Sequence, residues 1–559
     1  MKIIECIPNF SEGKNKDIIN QIVSEITNTD NVELLDVDAG CSTNRTVVTF
    51  AGEPLSVIEA AFNAIKKASE LIDMSKHEGT HPRMGATDVC PLVPINNVSM
   101  KECIKYSNML AEKVSEKLNI PIYMYEKSAN AKNRINLSNI RSGEYEGMSN
   151  KIKQNEWKPD YGTNKINIRS GVTAIGAREF LIAYNVNLNT HDKKKATDIA
   201  LDIRESGRAK RDKNNKILRD DKGNVIKVPG KLKNCKAVGW YIDEYSLSQV
   251  SINLTNYKKT SIHKAFEEVR KQARKRGLRV TGSEIVGLVP KSALIDTGLY
   301  YLKKQNKSQG IPENDILDIA IKSLGLNEIS EFNINDKIIE KKMLTNDNSL
   351  TSFSIRQLMD DVSRATPTPG GGSVSALAGS LGASLASMVS NLTIDKKGYE
   401  KHKKLHLNSS KLLQKYKDEL LILIDSDSKA YDEVIKSFRM SKKSAFDIKK
   451  RDKSIYKATY NAAKIPLKIL KLCNNVINET YKVILNGNPN SISDAAVAND
   501  LLLAASKGAC YNILINISDL SKKDIDYFKN NTDYYFKQIQ DTNIKINQFI
   551  NKTTIALDG

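Results

Sequence analysis

Between His77 and Pro91 the chain reads HEGTHPRMGATDVCP, crowding two of its six histidines, an arginine, two glycines and two prolines into fifteen residues. Titratable groups in a stretch so poor in helix and strand formers read as a loop that carries chemistry. His77 and His81 have the spacing of an HExxH zinc site, which works only on a helix, where residues four apart share a face. Gly79 inside the motif and Pro82 after it oppose that helix, and no third ligand is evident downstream. An imidazole moving protons therefore competes with a plainer reading, a capped helix end with an incidental histidine.

A second candidate lies far downstream. From Lys411 to Arg439, Leu413, Leu420, Ile424, Tyr431, Val434 and Phe438 form a seam at steps of four, three and seven. Asp427 falls on that seam, whereas Asp425, Lys429 and Asp432 do not. A carboxylate on a buried seam is costly unless paired or used, and burial raises its pKa toward the range of a neutral-pH general acid. The structural alternative is a partner for a basic residue across a bundle. Asn512 and Asn516 share a face four residues apart, as bundle hydrogen bonds or ligand contacts.

The elements that must position these groups follow from periodicity. Strands are expected at Lys2–Pro8, Val32–Asp38, Arg45–Phe50 and Val89–Val93, with amphipathic helices at Lys16–Thr27 and Leu55–Ile72. That order is a ferredoxin-like split βαβ unit. It makes one shared end of Asn9–Gly13, Asp38–Arg45 and His81–Arg83, where a carboxylate could fix the tautomer of an imidazole; alone, Asp38 reads as a turn cap. A helix at Met100–Leu118 and a strand at Ile122–Tyr125 complete this lobe. Gly171–Gly176 has P-loop spacing but lacks the Lys-Ser/Thr pair, which argues against nucleotide triphosphates. Strands at Phe180–Leu188, Gly239–Tyr241 and Val250–Leu254 and a helix at Ile262–Arg274 build a second lobe, interrupted by a basic, exposed insertion at Arg208–Asn234. Beyond Ile355 the pattern is helical throughout. TPTPGGGSVSALAGSLGASLASMVSNL is long enough to span a membrane, but its Gly, Ser and Ala content favours a close-packed buried helix. The three glycines leave free N–H groups at its start that suit an anion.

The fold class is thus an N-terminal α/β half of two ferredoxin-like sandwich lobes (1–179 and 180–340), a linker at 341–352 and an all-α helical bundle at 353–559. A chain of 559 residues exceeds one core. Seven cysteines without a CxxC pair argue against a disulfide framework or zinc ribbon, and for a reducing, cytoplasmic setting. The apolar run after Lys2 is too short for a secretory signal. The net charge of +20 fits polyanions, nucleic acid among them. However, lysine is often interleaved with asparagine, as at Lys213–Lys216 and Lys304–Lys307, which argues for a compositional habit and against nucleic-acid binding.

CIPNFSEGKN, LLDVDAGCSTNRTV, LIDMSKHEGTHPRMGATDVCP and GWYIDE (Gly239–Glu244) resemble the glutamate formimidoyltransferase family. PGGGSVSALAGSLGASLASMV, LIDSDSKAY and YNILIN resemble formimidoyltetrahydrofolate cyclodeaminases, and the two in this order are similar to the bifunctional family. The resemblance implies transfer of the formimino group of N-formimidoyl-L-glutamate to N5 of tetrahydrofolate, then cyclisation to 5,10-methenyltetrahydrofolate with loss of ammonia. It places the catalytic histidine of the HPR motif at His81, with Asp38 orienting or charge-balancing it and Arg45 on a substrate carboxylate. The folate segment becomes Gly162, Thr163, Asn164, Lys165, Ile166, Asn167, Ile168, Arg169, Ser170 and Gly171. The catalytic aspartate of the second reaction becomes Asp427, and the ligand-lining loop Gly370, Gly371 and Gly372. It further implies tetrahydrofolate, polyglutamylated, as co-substrate, no metal, and a homo-oligomer built as a ring of dimers.

Overall fold

The computed structural model describes residues 2–40, 44–79, 82–243, 245–342 and 349–557. These fall into two compact units, Met1–Thr297 with Leu324–Thr345, and Gly298–Ser323 with Asn346–Gly559.

The first unit holds two α/β lobes. In one, β1 (Ile3–Cys6), β2 (Asn9–Phe10), β3 (Val32–Gly40), β4 (Arg45–Gly52), β5 (Thr87–Asn96), β6 (Ile122–Met124) and β7 (Thr173–Ala177) form a mixed sheet of order β1-β4-β2-β5-β7-β6, with β3 also paired to β4. Three helices, α1 (Lys16–Thr27), α2 (Pro54–Leu71) and α3 (Met100–Leu118), bury their apolar stripes on one face around Phe50, Ile65, Leu92 and Leu110. Local chemistry sets their ends. Asn15 caps α1 through the N–H groups of Asp17 and Ile18, and Ser99 and Glu102 form a capping box at α3. Two short helices, α4 (Leu137–Arg141) and α5 (Glu144–Lys151), pack Ile140 and Met148 with Met84, Tyr123 and Val172. The four strands expected for the split βαβ unit and the fifth expected at Ile122–Tyr125 are present, but the sheet is larger. The short β2 bridges β4 and β5, and β7 and β6 extend the sheet in parallel. Gly171–Gly176 is largely the buried β7, not a phosphate loop.

The second lobe is a four-stranded antiparallel sheet of β8 (Ile182–Leu188), β11 (Cys235–Ile242), β12 (Leu247–Leu254) and β13 (Val280–Val286), in order β11-β12-β8-β13. Its helices are α6 (Lys193–Ile203) and α7 (Ile262–Arg274). The insertion after α6 is an exposed hairpin of β9 (Arg208–Ala209) and β10 (Lys227–Val228). Two single turns, α10 (Ile334–Lys337) and α11 (Ile339–Lys342), follow later in the chain.

The second unit begins earlier than expected from the sequence. Residues 298–323, the end of α8 (Lys291–Lys304) and most of α9 (Glu313–Leu324), belong to it. Asn391 donates to the Gly310 carbonyl at 2.7 Å, and Gly310 lies against the backbone of Ser410, too close for any side chain. The helices that follow are α12 (Ile355–Ser363), α13 (Gly371–Ile394), α14 (Lys403–Phe438), α15 (Ala445–Asn486), α16 (Ile492–Asn516) and α17 (Lys522–Leu557). The central α13 packs along α14 and α16. Although α13 is apolar and long enough to cross a membrane, 61% of its most apolar stretch is buried in the bundle. The α14 seam holds at Leu413, Leu420 and Ile424, which are buried. It fails at Tyr431 and Phe438, which are exposed, because the bundle covers that end less completely.

Candidate functional site

In the first unit, Ser11, Glu12, Lys14, Asn44, Asp73, Lys76, His77 and Glu78 surround a cavity of about 380 Å3. Asn44 joins its walls. Its Oδ1 accepts from the Gly13 N–H at 3.0 Å and its Nδ2 donates to the Glu78 carbonyl at 2.7 Å, from a backbone φ of 49° that asparagine tolerates. His77 is not on a helix: the single 3-10 turn Met74–Lys76 stops before it. Its ring is fully committed. Arg83 Nε donates to Nδ1 at 3.2 Å, which assigns the proton to Nε2, 3.1 Å from the Asn44 carbonyl. Burial, opposed by that carbonyl, lowers its pKa, so His77 is a neutral brace. Arg83 also binds the His77 carbonyl, Glu144 and Glu146, fastening the far end of the loop to α5.

His81 lies outside the described residues. Asp38 is exposed on β3, opposite Val47, while Gly40 pairs with Arg45; Asp38 and Arg45 are thus diagonal neighbours on one sheet face. Arg45 is half-buried, donates to Asn9 Oδ1, and feels the charges of Asp88 and Arg141. Neither Asp38 nor Arg45 lines the cavity. Of the segment Gly162–Gly171, Ile168 and Arg169 are exposed while Ser170 and Gly171 are buried. The segment borders the cavity wall through Arg169, which donates to the Glu70 carbonyl at 2.6 Å and accepts from the Met74 N–H at 2.8 Å. The sequence did not single out the buried Asp88–Arg141 pair, although Asp88 stands in the same HEGTHPRMGATDVCP stretch. Nor did it reveal Asp73 and Lys76 as cavity walls.

In the second unit, Asp427, Tyr431, Gly370, Gly371, Gly372, Thr368, Ala462, Asn512 and Asn516 line a cavity of about 280 Å3. Asp427 reaches it because Gly372 has no side chain: a Cβ there would fall 2.2 Å from Oδ1. Ser373 Oγ lies 3.3 Å from Asp427 Oδ2 while donating to the Ile424 carbonyl at 2.8 Å, and the Ser373 N–H also bonds the carboxylate. Asp427 is thus the anion received by the first turn of α13. Burial raises its pKa, and the Ser373 contacts restrain the rise. A carboxyl whose proton is held more tightly than in water, and which opens to a cavity, has the makings of a proton-transfer group. Of its neighbours, Asp425 instead accepts from the Leu350 N–H at 2.7 Å, tethering the incoming chain to α14.

The chain matches the family model described as formiminotransferase domain, N-terminal subdomain, over residues 3–178. It matches the formiminotransferase domain over 183–344 and formiminotransferase-cyclodeaminase over 354–532. The formimidoyltransferase-cyclodeaminase of Mus musculus is 38% identical over 538 residues, 95% of each chain. That of Dictyostelium discoideum is 41% identical over 534 residues, again 95% of each. The glutamate formimidoyltransferase of Streptococcus pyogenes is 44% identical over 305 residues, 55% of this chain and 95% of its own. With both units matched in one continuous alignment, the chain belongs to the formimidoyltransferase-cyclodeaminase family.

Proposed function

We propose that the chain performs two consecutive reactions on one carbon, as a glutamate formimidoyltransferase and a formimidoyltetrahydrofolate cyclodeaminase. In the first unit N5 of tetrahydrofolate attacks the formimidoyl carbon of N-formimidoyl-L-glutamate, and the tetrahedral adduct expels glutamate. His81 takes the proton from N5 and gives one to the leaving nitrogen, Asp38 balances the imidazolium, and Arg45 holds a substrate carboxylate. Residues 162–171 contact the folate. The lobes are read as ferredoxin-like, the folate as polyglutamylated, and the assembly as a ring of dimers in the cytoplasm.

In the second unit N10 attacks the same carbon, now an amidinium. Asp427 accepts the N10 proton as the C–N10 bond forms and delivers it to the departing nitrogen. Ammonia leaves, and the positive charge stays on 5,10-methenyltetrahydrofolate. One proton is shuttled and none consumed, so a single carboxylate suffices and no step calls for a metal.

The observation that carries this reading is the half-buried Asp427 carboxylate, raised in pKa and open to a cavity at the glycine turn. The test gives chelator-treated protein N-formimidoyl-L-glutamate and tetrahydrofolate, following ammonia and methenyltetrahydrofolate together. Both should appear. Formation of neither would remove the assignment, and 5-formimidoyltetrahydrofolate alone would remove its second half.

A further inference from the structure

Asn512, on α16, lines the second cavity together with Asp427, and its amide is oriented by its own helix. Its Nδ2 donates to the Gly508 carbonyl, one turn back, at 2.8 Å. A carbonyl accepts only a donor, which assigns Nδ2 to that side and leaves Oδ1 at the other position of the amide. Among the described residues Oδ1 accepts no hydrogen bond, yet Asn512 is half-buried and lines the cavity. Two glycines admit the two polar groups side by side. An ideal Cβ on Gly371 would lie 3.3 Å from Asn512 Nδ2 and 3.9 Å from its Oδ1, and one on Gly372 would lie 2.2 Å from Asp427 Oδ1. An amide and a carboxylate, carried by different helices, therefore come to successive residues of a single turn, with the amide oxygen within van der Waals reach of it.

That pairing has a chemical meaning. A protonated formimidoyl group ends in an NH2 that offers two diverging N–H donors and no acceptor. A formyl group of the same shape ends in an oxygen that offers acceptors and no donor. We infer that Asn512 Oδ1 accepts one N–H of the folate-borne formimidoyl nitrogen while Asp427 takes the other, making Asn512 the residue that selects formimidoyl over formyl. The assignment rests on reading the Asp427 cavity as the cyclisation site. Asn512 holds the nitrogen in place, and Asp427 moves the proton.

The test uses the full-length protein supplied with 5-formimidoyltetrahydrofolate, with 5-formyltetrahydrofolate as competitor. Asn512→Leu should raise KM for ammonia release about 10- to 100-fold, the size of a lost hydrogen bond to a charged group, while the inhibition constant of the formyl compound stays level or tightens. Asn512→Asp keeps an acceptor oxygen and should hold KM near the parent value while binding the formyl compound more weakly than the parent does. A parallel weakening of both ligands in Asn512→Leu would assign Asn512 to packing and overturn the inference, as would an unchanged ratio of the two constants. If the parent protein released no ammonia from the supplied substrate, the cyclisation reading itself would fall, an outcome distinct from either of these.

Discussion

At the scale of single residues, burial raises the pKa of two carboxyls in different settings. Asp427 has hydrogen-bond partners and a cavity, whereas Glu5 on β1 is fully buried with no partner for Oε2 among the described residues. Burial pushes its pKa up to about 8, the Arg178 charge pulling down and Glu340 pushing further up. Because the folded form holds this proton more tightly than the unfolded chain, its ionisation costs stability. Stability therefore falls with rising pH between about 4.5 and about 8, at about 1.4 kcal/mol per pH unit at most. Glu5→Gln should flatten that slope, read as the shift in urea midpoint between pH 6 and pH 9; an unchanged slope would show that Glu5 ionises freely in the fold. Asp427→Asn keeps the side-chain shape but cannot carry the proton. It should slow ammonia release about 10²- to 10⁴-fold and let 5-formimidoyltetrahydrofolate accumulate, whereas release at the parent rate would return Asp427 to a structural role.

At the scale of elements, space decides what a glycine substitution does. Gly382 on α13 faces α16 so closely that a Cβ would stand 2.9 Å from Leu502 Cγ and 3.0 Å from the Ala498 carbonyl. Gly147 on α5 has nothing within 4 Å. Gly382→Ala must force the helices apart at about 1–3 kcal/mol, against a helix-propensity gain of about 1 kcal/mol, so a net loss is expected. Gly147→Ala keeps the gain alone. Urea midpoints moving down for the first and up for the second are the expected pair; the same sign for both would break the argument. The same contrast explains what the sequence disclosed. Helices at Met100–Leu118 and Ile262–Arg274 were legible to the residue because an apolar stripe fixes their type, and end signals such as the Ser99–Glu102 box fix their bounds. The two-residue β2 carries no period at all and exists through pairing with β4 and β5. Asp427 was legible from its seam, but Ser373 and Gly372 at its carboxylate lie more than fifty residues away in the chain. Periodicity gave no sign that residues 298–323 join the other core, because helical spacing says which face is apolar and not what covers it.

At the scale of the whole molecule, the two cavities are built from disjoint sets of residues, each wholly inside its own compact unit. Among the described residues no side chain is shared, so damage to one chemistry should leave the other intact. His81→Ala should lose the transfer step while still releasing ammonia from supplied 5-formimidoyltetrahydrofolate; Asp427→Asn should transfer and stop. Mixing the two variants with N-formimidoyl-L-glutamate and tetrahydrofolate then becomes informative. The intermediate made by Asp427→Asn must leave that molecule and reach the intact second cavity of a His81→Ala molecule. Ammonia should therefore appear after a lag that shortens as the His81→Ala variant is added in excess. The parent protein at equal site concentration should show a shorter lag, or none. If the mixture released no ammonia while each variant retained its single activity, the intermediate would be held by the Asp427→Asn molecule that made it, because the supplied compound does enter the second cavity from solution. Passage from the first site to the second would then take place within one assembly, ahead of release.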